Sequence, residues 1–214
     1  VMLGTGPFAV PTLRRLVASP HEVLRVVTRP PRGRRAEAPP MQVAAEELGV
    51  ADQVEFVHGD AAGYVSDEKV GVAACVGATW IGGGVAGTVA LLARSLLPGG
   101  IVLVGEPYWR RVPPSDDVAR GCLAGSVSDF LELPELLASF RALGYDPVEM
   151  VLAGQDDWDR YEAAKWLTMR RWLDANPTDE LAGDVRALLD SEPERYARYT
   201  REHLGWGVFA LMAR

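Results

Sequence analysis

Strand-length apolar runs recur along this chain, and most are followed by a turn and then by a stretch of helical spacing. This alternation constrains the fold more than any other feature, because strands separated by helices close into a parallel sheet with helices on both faces. Residues 1–3 can end a first strand, Gly4-Thr5-Gly6 make a tight turn, residues 9–18 a helix with apolar Val10, Leu13, Leu16 and Val17, and residues 23–28 a second strand. Residues 41–48 read as a short helix closed by Gly49, and residues 54–57 as a strand ending at Gly59-Asp60. A strand over 72–76 leads through a glycine-rich turn into a helix over 85–97, which Pro98-Gly99-Gly100 is expected to stop before a strand over 101–104. Residues 133–143 are helical up to Gly144, and 147–152 form a strand. Residues 156–203 are helical, cut by Asn176-Pro177 and Glu192-Pro193 into about three pieces, before a last strand over 207–212 that can run antiparallel to its neighbour.

With 214 residues, 48% of them hydrophobic, one domain with a lid is expected. The apolar runs are broken by Gly, Pro or charge well short of the roughly 20 residues that span a bilayer, so no membrane segment is expected. No basic segment precedes an apolar run at the start, so no secretory signal is read there. Cys75 and Cys122 make neither a disulfide framework nor a zinc-spaced cluster, which points to a reducing, cytoplasmic setting. Charge is uneven: residues 1–40 carry seven Arg against Glu22 and Glu37, a net of +5, which leaves −12 of the total −7 to residues 41–214. An acidic body argues against sequence-independent nucleic-acid binding, which phosphate neutralisation drives.

Ligands of open α/β sheets bind at the carboxyl ends of the strands, so residues just past each strand carry the chemistry. Gly4 and Gly6 would let backbone approach a ligand at the start of the first helix. Thr28-Arg29 follows the second strand with no carboxylate. Asp60, with Ala61, follows the third; its carboxylate either accepts from a ligand amino group or caps the next turn. The stretch Cys75-Val-Gly-Ala-Thr-Trp80-Ile-Gly-Gly-Gly84 opens space over the sheet, where Trp80 is either a flat apolar wall for a ligand or a buried indole. Glu106, Tyr108, Trp109, Arg110 and Arg111 cluster after the fifth strand, a mixture better suited to orienting a ligand than to packing. Trp158, Tyr161, Trp166, Met169 and Trp172 recur at core-like helical spacing, with Tyr161 also a candidate substrate contact. His21, His58 and His203 show no metal-ligand spacing, and neither a nucleophile elbow nor a phosphate-binding P-loop is present.

The order Val54-Glu-Phe-Val-His-Gly-Asp60, Ala73-Ala-Cys-Val-Gly-Ala-Thr-Trp80, Leu97-Pro-Gly-Gly-Ile-Val-Leu-Val-Gly-Glu-Pro107 resembles class I S-adenosylmethionine-dependent methyltransferases from about residue 43 onward. The resemblance implies a Rossmann-like α/β sheet, mostly parallel with an antiparallel last strand, and a helical cover inserted between the last two strands. It also implies S-adenosylmethionine as cofactor and a small-molecule methyl acceptor. Asp60 and Ala61 would hold adenine, Val76 and Gly77 would line the methionine side, Gly4 and Gly6 would be what remains of the glycine motif, and Glu106, Tyr108 and Trp109 would face the acceptor. Glu106 would be the base and Tyr108 would orient, with Trp80 and Tyr161 as further acceptor contacts.

Residues 1 to about 40 instead resemble the start of methionyl-tRNA formyltransferases, through Gly4-Thr5-Gly6-Pro7-Phe8-Ala9-Val10-Pro11-Thr12 and the basic run that ends at Arg35. The charge seam and this seam coincide. One domain is therefore expected over 1–214, with a formyltransferase-like start (1–40), a sheet core (41–155), a helical cover (156–204) and a last strand (205–214). With the glycine motif reduced to Gly4 and Gly6, and the ribose-binding acid replaced by Thr28-Arg29, weak cofactor binding is expected. Formyl transfer and a non-catalytic α/β module are the alternative readings.

Overall fold

The computed structural model describes residues 2–3, 10–28 and 38–214. Gly4, Gly6 and the basic loop 29–35 lie outside the described residues. The strands are β1 (Met2–Leu3), β2 (Arg25–Thr28), β3 (Glu55–His58), β4 (Val70–Val76), β5 (Leu96–Trp109), β6 (Tyr145–Leu152) and β7 (Leu204–Ala213). They form one seven-stranded sheet in the order β3-β2-β1-β4-β5-β7-β6. Strands β1 to β5 pair in parallel. The last strand is antiparallel: Arg214 donates its backbone N–H to Gly144 (3.0 Å) at one end of β6, while Ala153 donates to Trp206 (2.9 Å) at the other.

The helices are α1 (Val10–Val17), α2 (Pro40–Glu47), α3 (Val85–Ala93), α4 (Asp116–Gly121), α5 (Leu133–Ala142), α6 (Gln155–Ala175), α7 (Ala182–Arg195) and α8 (Arg201–His203). Among the described residues, no helix is long and apolar enough to cross a membrane. The segment between β6 and β7 is helical as expected and holds α6 to α8.

Three boundary differences from the sequence expectation go beyond a shift of a few residues at an element's end. Helix α3 stops at Ala93, and Pro98-Gly99-Gly100 is a bulge inside β5: while β4 advances from Val70 to Val72, β5 advances from Leu96 to Ile101. Strand β5 also runs on to Trp109, so the residues after 104 are extended backbone instead of a loop. Pro193 does not break the cover; it lies within α7, which passes into a π-helical turn at Tyr196–Thr200. Helix α4, capped by the Ser115 hydroxyl on the Val118 N–H, had no sequence counterpart.

The chain groups into two compact units. The first comprises Val1–Glu106, Ser139–Met150 and Val208–Arg214; the second comprises Pro107–Ala138 and Val151–Gly207. In the first, Leu13 and Val26 of the start segment share one buried cluster with Met41, Ala44, Ala45 and Val54 of the body. The Arg14–Glu47 ion pair (2.9 Å) spans the same seam, as does the Arg25–Glu55 pair, whose arginine also donates to the Ser66 hydroxyl at 3.1 Å. The described residues of the start segment, 2–3 and 10–28, are thus packed and paired as part of the sheet domain. In the second unit Trp109, Ala119, Cys122, Ala124 and Leu204 form the core. There Asp159 accepts from Tyr196 Oη (2.6 Å) and Arg201 Nε (3.1 Å), which ties α6 to the π turn and α8.

Candidate active site

The parallel strands of the first unit end nearly level. Leu3 pairs with Val27 and Cys75, Thr28 with His58, and Val76 with Gly105. Glu106, although inside a strand, is therefore the first β5 residue beyond the end of β4, beside the turn that begins at Gly77. That turn reverses through a left-handed Gly77 (φ 72°), whose N–H donates to the Gly105 carbonyl at 3.2 Å.

Thr79 opens the 3-10 turn Thr79–Gly82, and its Oγ1 donates to Glu106 Oε2 at 2.7 Å. Burial raises the Glu106 carboxyl and the threonine hydrogen bond lowers it; burial wins, and the group is pushed up to about 7. Beneath it, burial pushes the Cys75 thiol up to about 11, with Glu106 raising it further and an Ala78 backbone N–H opposing. Cys75 and Cys122 are both free and buried.

Of the other expected site residues in this unit, Asp60 is the exposed N-cap of the 3-10 turn Ala61–Gly63, its Oδ1 accepting the Ala62 N–H at 3.0 Å. Capping uses one acceptor position of a carboxylate that has about four. Ala61 is half-buried, Val76 is buried and Gly77 exposed. Trp80 is 65% exposed, which excludes the buried-indole alternative.

Tyr108, Trp109 and Tyr161 belong to the second unit. Trp109 is 2% exposed, donates its indole N–H to the Val127 carbonyl (2.7 Å) and packs edge-on against Phe130. Its expected acceptor contact is corrected to a core role. Tyr108 is buried with its ring laid on Gly205, where a Cβ would come within 2.3 Å of Cζ. Tyr161 is 45% exposed, edge-on to Trp158 and beneath the Lys165 ammonium at 5.0 Å from its ring centre. Sequence reasoning missed Thr79, which stands beside the more conspicuous Trp80, and Thr88 of α3, since a threonine carries no comparable signal in spacing.

A doubly wound sheet in this order, with an antiparallel penultimate strand and polar groups gathered at its carboxyl edge, defines the class I Rossmann-like methyltransferases. No family model matches the chain. It is 65% identical to an S-adenosylmethionine-dependent methyltransferase from Geobacter sulfurreducens, crystallised with S-adenosyl-L-homocysteine; the superposition covers all of this chain and 83% of that one, with a TM-score of 0.85. It is also 65% identical over 170 residues to the uncharacterized protein YjhP of Escherichia coli K12, covering 79% of this chain and 68% of that protein. The chain belongs to the S-adenosylmethionine-dependent methyltransferase family. A separate likeness, 47% over 55 residues, joins 23% of this chain to 16% of a methionyl-tRNA formyltransferase from Frankia casuarinae.

Proposed function

We propose that this protein binds S-adenosylmethionine at the carboxyl edge of β1 to β4 and transfers its methyl group to a small-molecule acceptor, with Glu106 taking the acceptor's proton. The observation that carries the reading is the half-buried Glu106 carboxyl, hydrogen-bonded by Thr79 beside the β4 turn. The identity to a relative crystallised with S-adenosyl-L-homocysteine supports the cofactor. The residues present fit it: Asp60 has acceptor positions left for an adenine amino group, Gly77 exposes its backbone, and a Cβ at Gly59, Gly83 or Gly84 would meet nothing within 4 Å.

Bound there, S-adenosylmethionine supplies an electrophilic methyl group. The protein positions that methyl and the acceptor, and removes a proton where the acceptor must lose one. A carboxyl near 7 is matched to a hydroxyl or ammonium acceptor at neutral pH, since both its forms are populated there. Exposed Trp80 next to Thr79 offers an apolar wall. Tyr108 and Trp109 serve packing. The acidic charge of residues 41–214 favours a small molecule over nucleic acid, and the free thiols favour a cytoplasmic setting.

Calorimetric titration with S-adenosyl-L-homocysteine, followed by transfer of labelled methyl to a panel of small hydroxyl and amine compounds, tests this reading. Binding and transfer that fails in Glu106→Gln are expected. No binding at millimolar ligand would overturn the cofactor, and full activity in Glu106→Gln would overturn the base. Formyl transfer is favoured only by the short likeness of the start segment, which spans about a sixth of that relative.

A further inference from the structure

The Glu106 carboxylate has two oxygens, and among the described residues only one of them is held. Thr79 has a single hydroxyl proton and gives it to Oε2, at 2.7 Å. The threonine is itself fixed through its backbone. Its carbonyl accepts from the Thr88 hydroxyl at 2.7 Å and from the Gly84 N–H at 3.0 Å, and Thr88 is 0% exposed. The turn cannot slide along α3, because Gly82 and Gly87 touch through their backbones. A Cβ on Gly82 would lie 2.2 Å from the Thr88 nitrogen, and one on Gly87 1.9 Å from the Gly82 carbonyl oxygen. On its other side the turn is tied to β5 by the Gly77 N–H on Gly105.

We propose that Thr79 is a positioning residue for proton transfer: its hydroxyl fixes Oε2 of Glu106 and leaves Oε1 as the oxygen that takes the acceptor's proton. The inference rests on the reading of Glu106 as the base. Among the described elements beside it, the turn 79–82 and helix α3 contain no ionisable group, β4 contributes only Cys75, and the 3-10 turn Ala61–Gly63 packed on 79–82 brings Asp60 at its cap. The Cys75 thiol, pushed up to about 11, stays neutral across the working range. When Oε1 is protonated, Oε2 still accepts from Thr79, but less strongly than in the carboxylate. The hydrogen bond therefore favours the ionised form, and its loss makes Glu106 a weaker acid.

The test is a titration of the protein itself, independent of the acceptor. Carboxyl carbons of glutamate are labelled with carbon-13, the Glu106 resonance is assigned by its loss in Glu106→Gln, and its midpoint is followed in the parent, Thr79→Val and Thr79→Ser. The expected result is a parent midpoint near 7, a rise of about one pH unit in Thr79→Val, and a return to the parent value in Thr79→Ser. An unmoved midpoint in a folded Thr79→Val overturns the inference while leaving the base intact. A parent midpoint in the ordinary carboxylate range overturns the reading of Glu106 on which it rests. If Thr79→Val does not fold, Thr88→Val decides, because it loosens the turn without removing the Thr79 hydroxyl: a rise supports the inference and no change overturns it.

Discussion

Thr79 and Glu106 are 27 positions apart, yet the hydroxyl of one and the carboxylate of the other meet at 2.7 Å at the carboxyl edge of the sheet. The threonine stabilises the ionised carboxylate, but desolvation outweighs it and leaves the group near 7. A carboxyl whose folded value exceeds its unfolded one binds more protons in the folded state between the two values, so stability falls as pH rises from about 4.5 to about 7. Glu106→Gln keeps an acceptor for Thr79 and removes the charge. It is expected to be more stable than the parent at pH 8, by about 2 kcal/mol after allowing for partial exposure, and equal to it at pH 4. Urea unfolding at the two pH values measures the difference, and a constant difference would contradict it.

Gly205 carries the Tyr108 ring directly on its backbone. An added methyl would come within 2.3 to 2.8 Å of Cζ, Cε2 and Oη, closer than any real contact. Tyr108 is buried and cannot swing aside freely, so Gly205→Ala is expected to destabilise the second unit by about 1–3 kcal/mol. Pairing it with Tyr108→Leu should recover much of that loss. Thermal melts of the single and double variants check this, and additive losses would mean that the ring does not own the clash.

Asp159 is held well below the usual carboxylate range, at about 2, first by the Tyr196 hydroxyl and then by Arg201, against a small burial effect. Its folded value is depressed, so the stability it contributes is present above about 3.8 and is lost as pH falls toward 2. Hydrogen exchange of the backbone from 155 to 201 should therefore accelerate in the parent over that interval. In Asp159→Asn the protection of the same amides, relative to their intrinsic exchange rate at each pH, should be lower at neutral pH and should change little on acidification. A parent and variant with parallel acid profiles would separate Asp159 from the acid sensitivity of the cover.

What the sequence made legible is what depends on periodicity and punctuation. The alternation of strands and helices, and Gly49 and Gly144 just past α2 and α5, follow from local pattern, whereas the antiparallel final strand is implied by the family resemblance. Local pattern also gives Glu106 at the sheet edge, although the expected loop around it is strand. Pairing is what hid this. Proline and two glycines are a helix stop by local rules, but β4 continues to pair beyond them and turns them into a bulge. Trp109 looked like a ligand contact because an indole at a strand end is ambiguous until its N–H is found on Val127. Thr79, Thr88 and the Gly82–Gly87 approach depend on distances that leave no trace in spacing.

The cofactor end offers the sharpest test of the seam at residue 40, because the two family likenesses make opposite demands there. Thr28 is the last residue of β2 and pairs with His58, two residues before Asp60, so both stand at the same edge of the sheet. The methyltransferase resemblance implies an acid at the end of β2 that makes a charge-assisted hydrogen bond with the ribose hydroxyls. Such a bond contributes roughly 1.5 to 3 kcal/mol, which is about ten- to more than a hundredfold in affinity. Thr28→Asp is therefore expected to tighten S-adenosyl-L-homocysteine binding by at least about tenfold. Asp60 needs a variant that separates its two tasks, since its Oδ1 caps the turn through the Ala62 N–H. Asp60→Asn keeps an oxygen for the cap but sets an amide donor against the adenine amino group, so it should weaken binding by tenfold or more while leaving the melting temperature nearly unchanged. Asp60→Ala should lower both. Calorimetric titration of the parent and the three variants, with a melt of each, reads the outcome: parent-like affinity in Asp60→Asn would leave Asp60 a cap alone and move the adenine site elsewhere on the sheet edge.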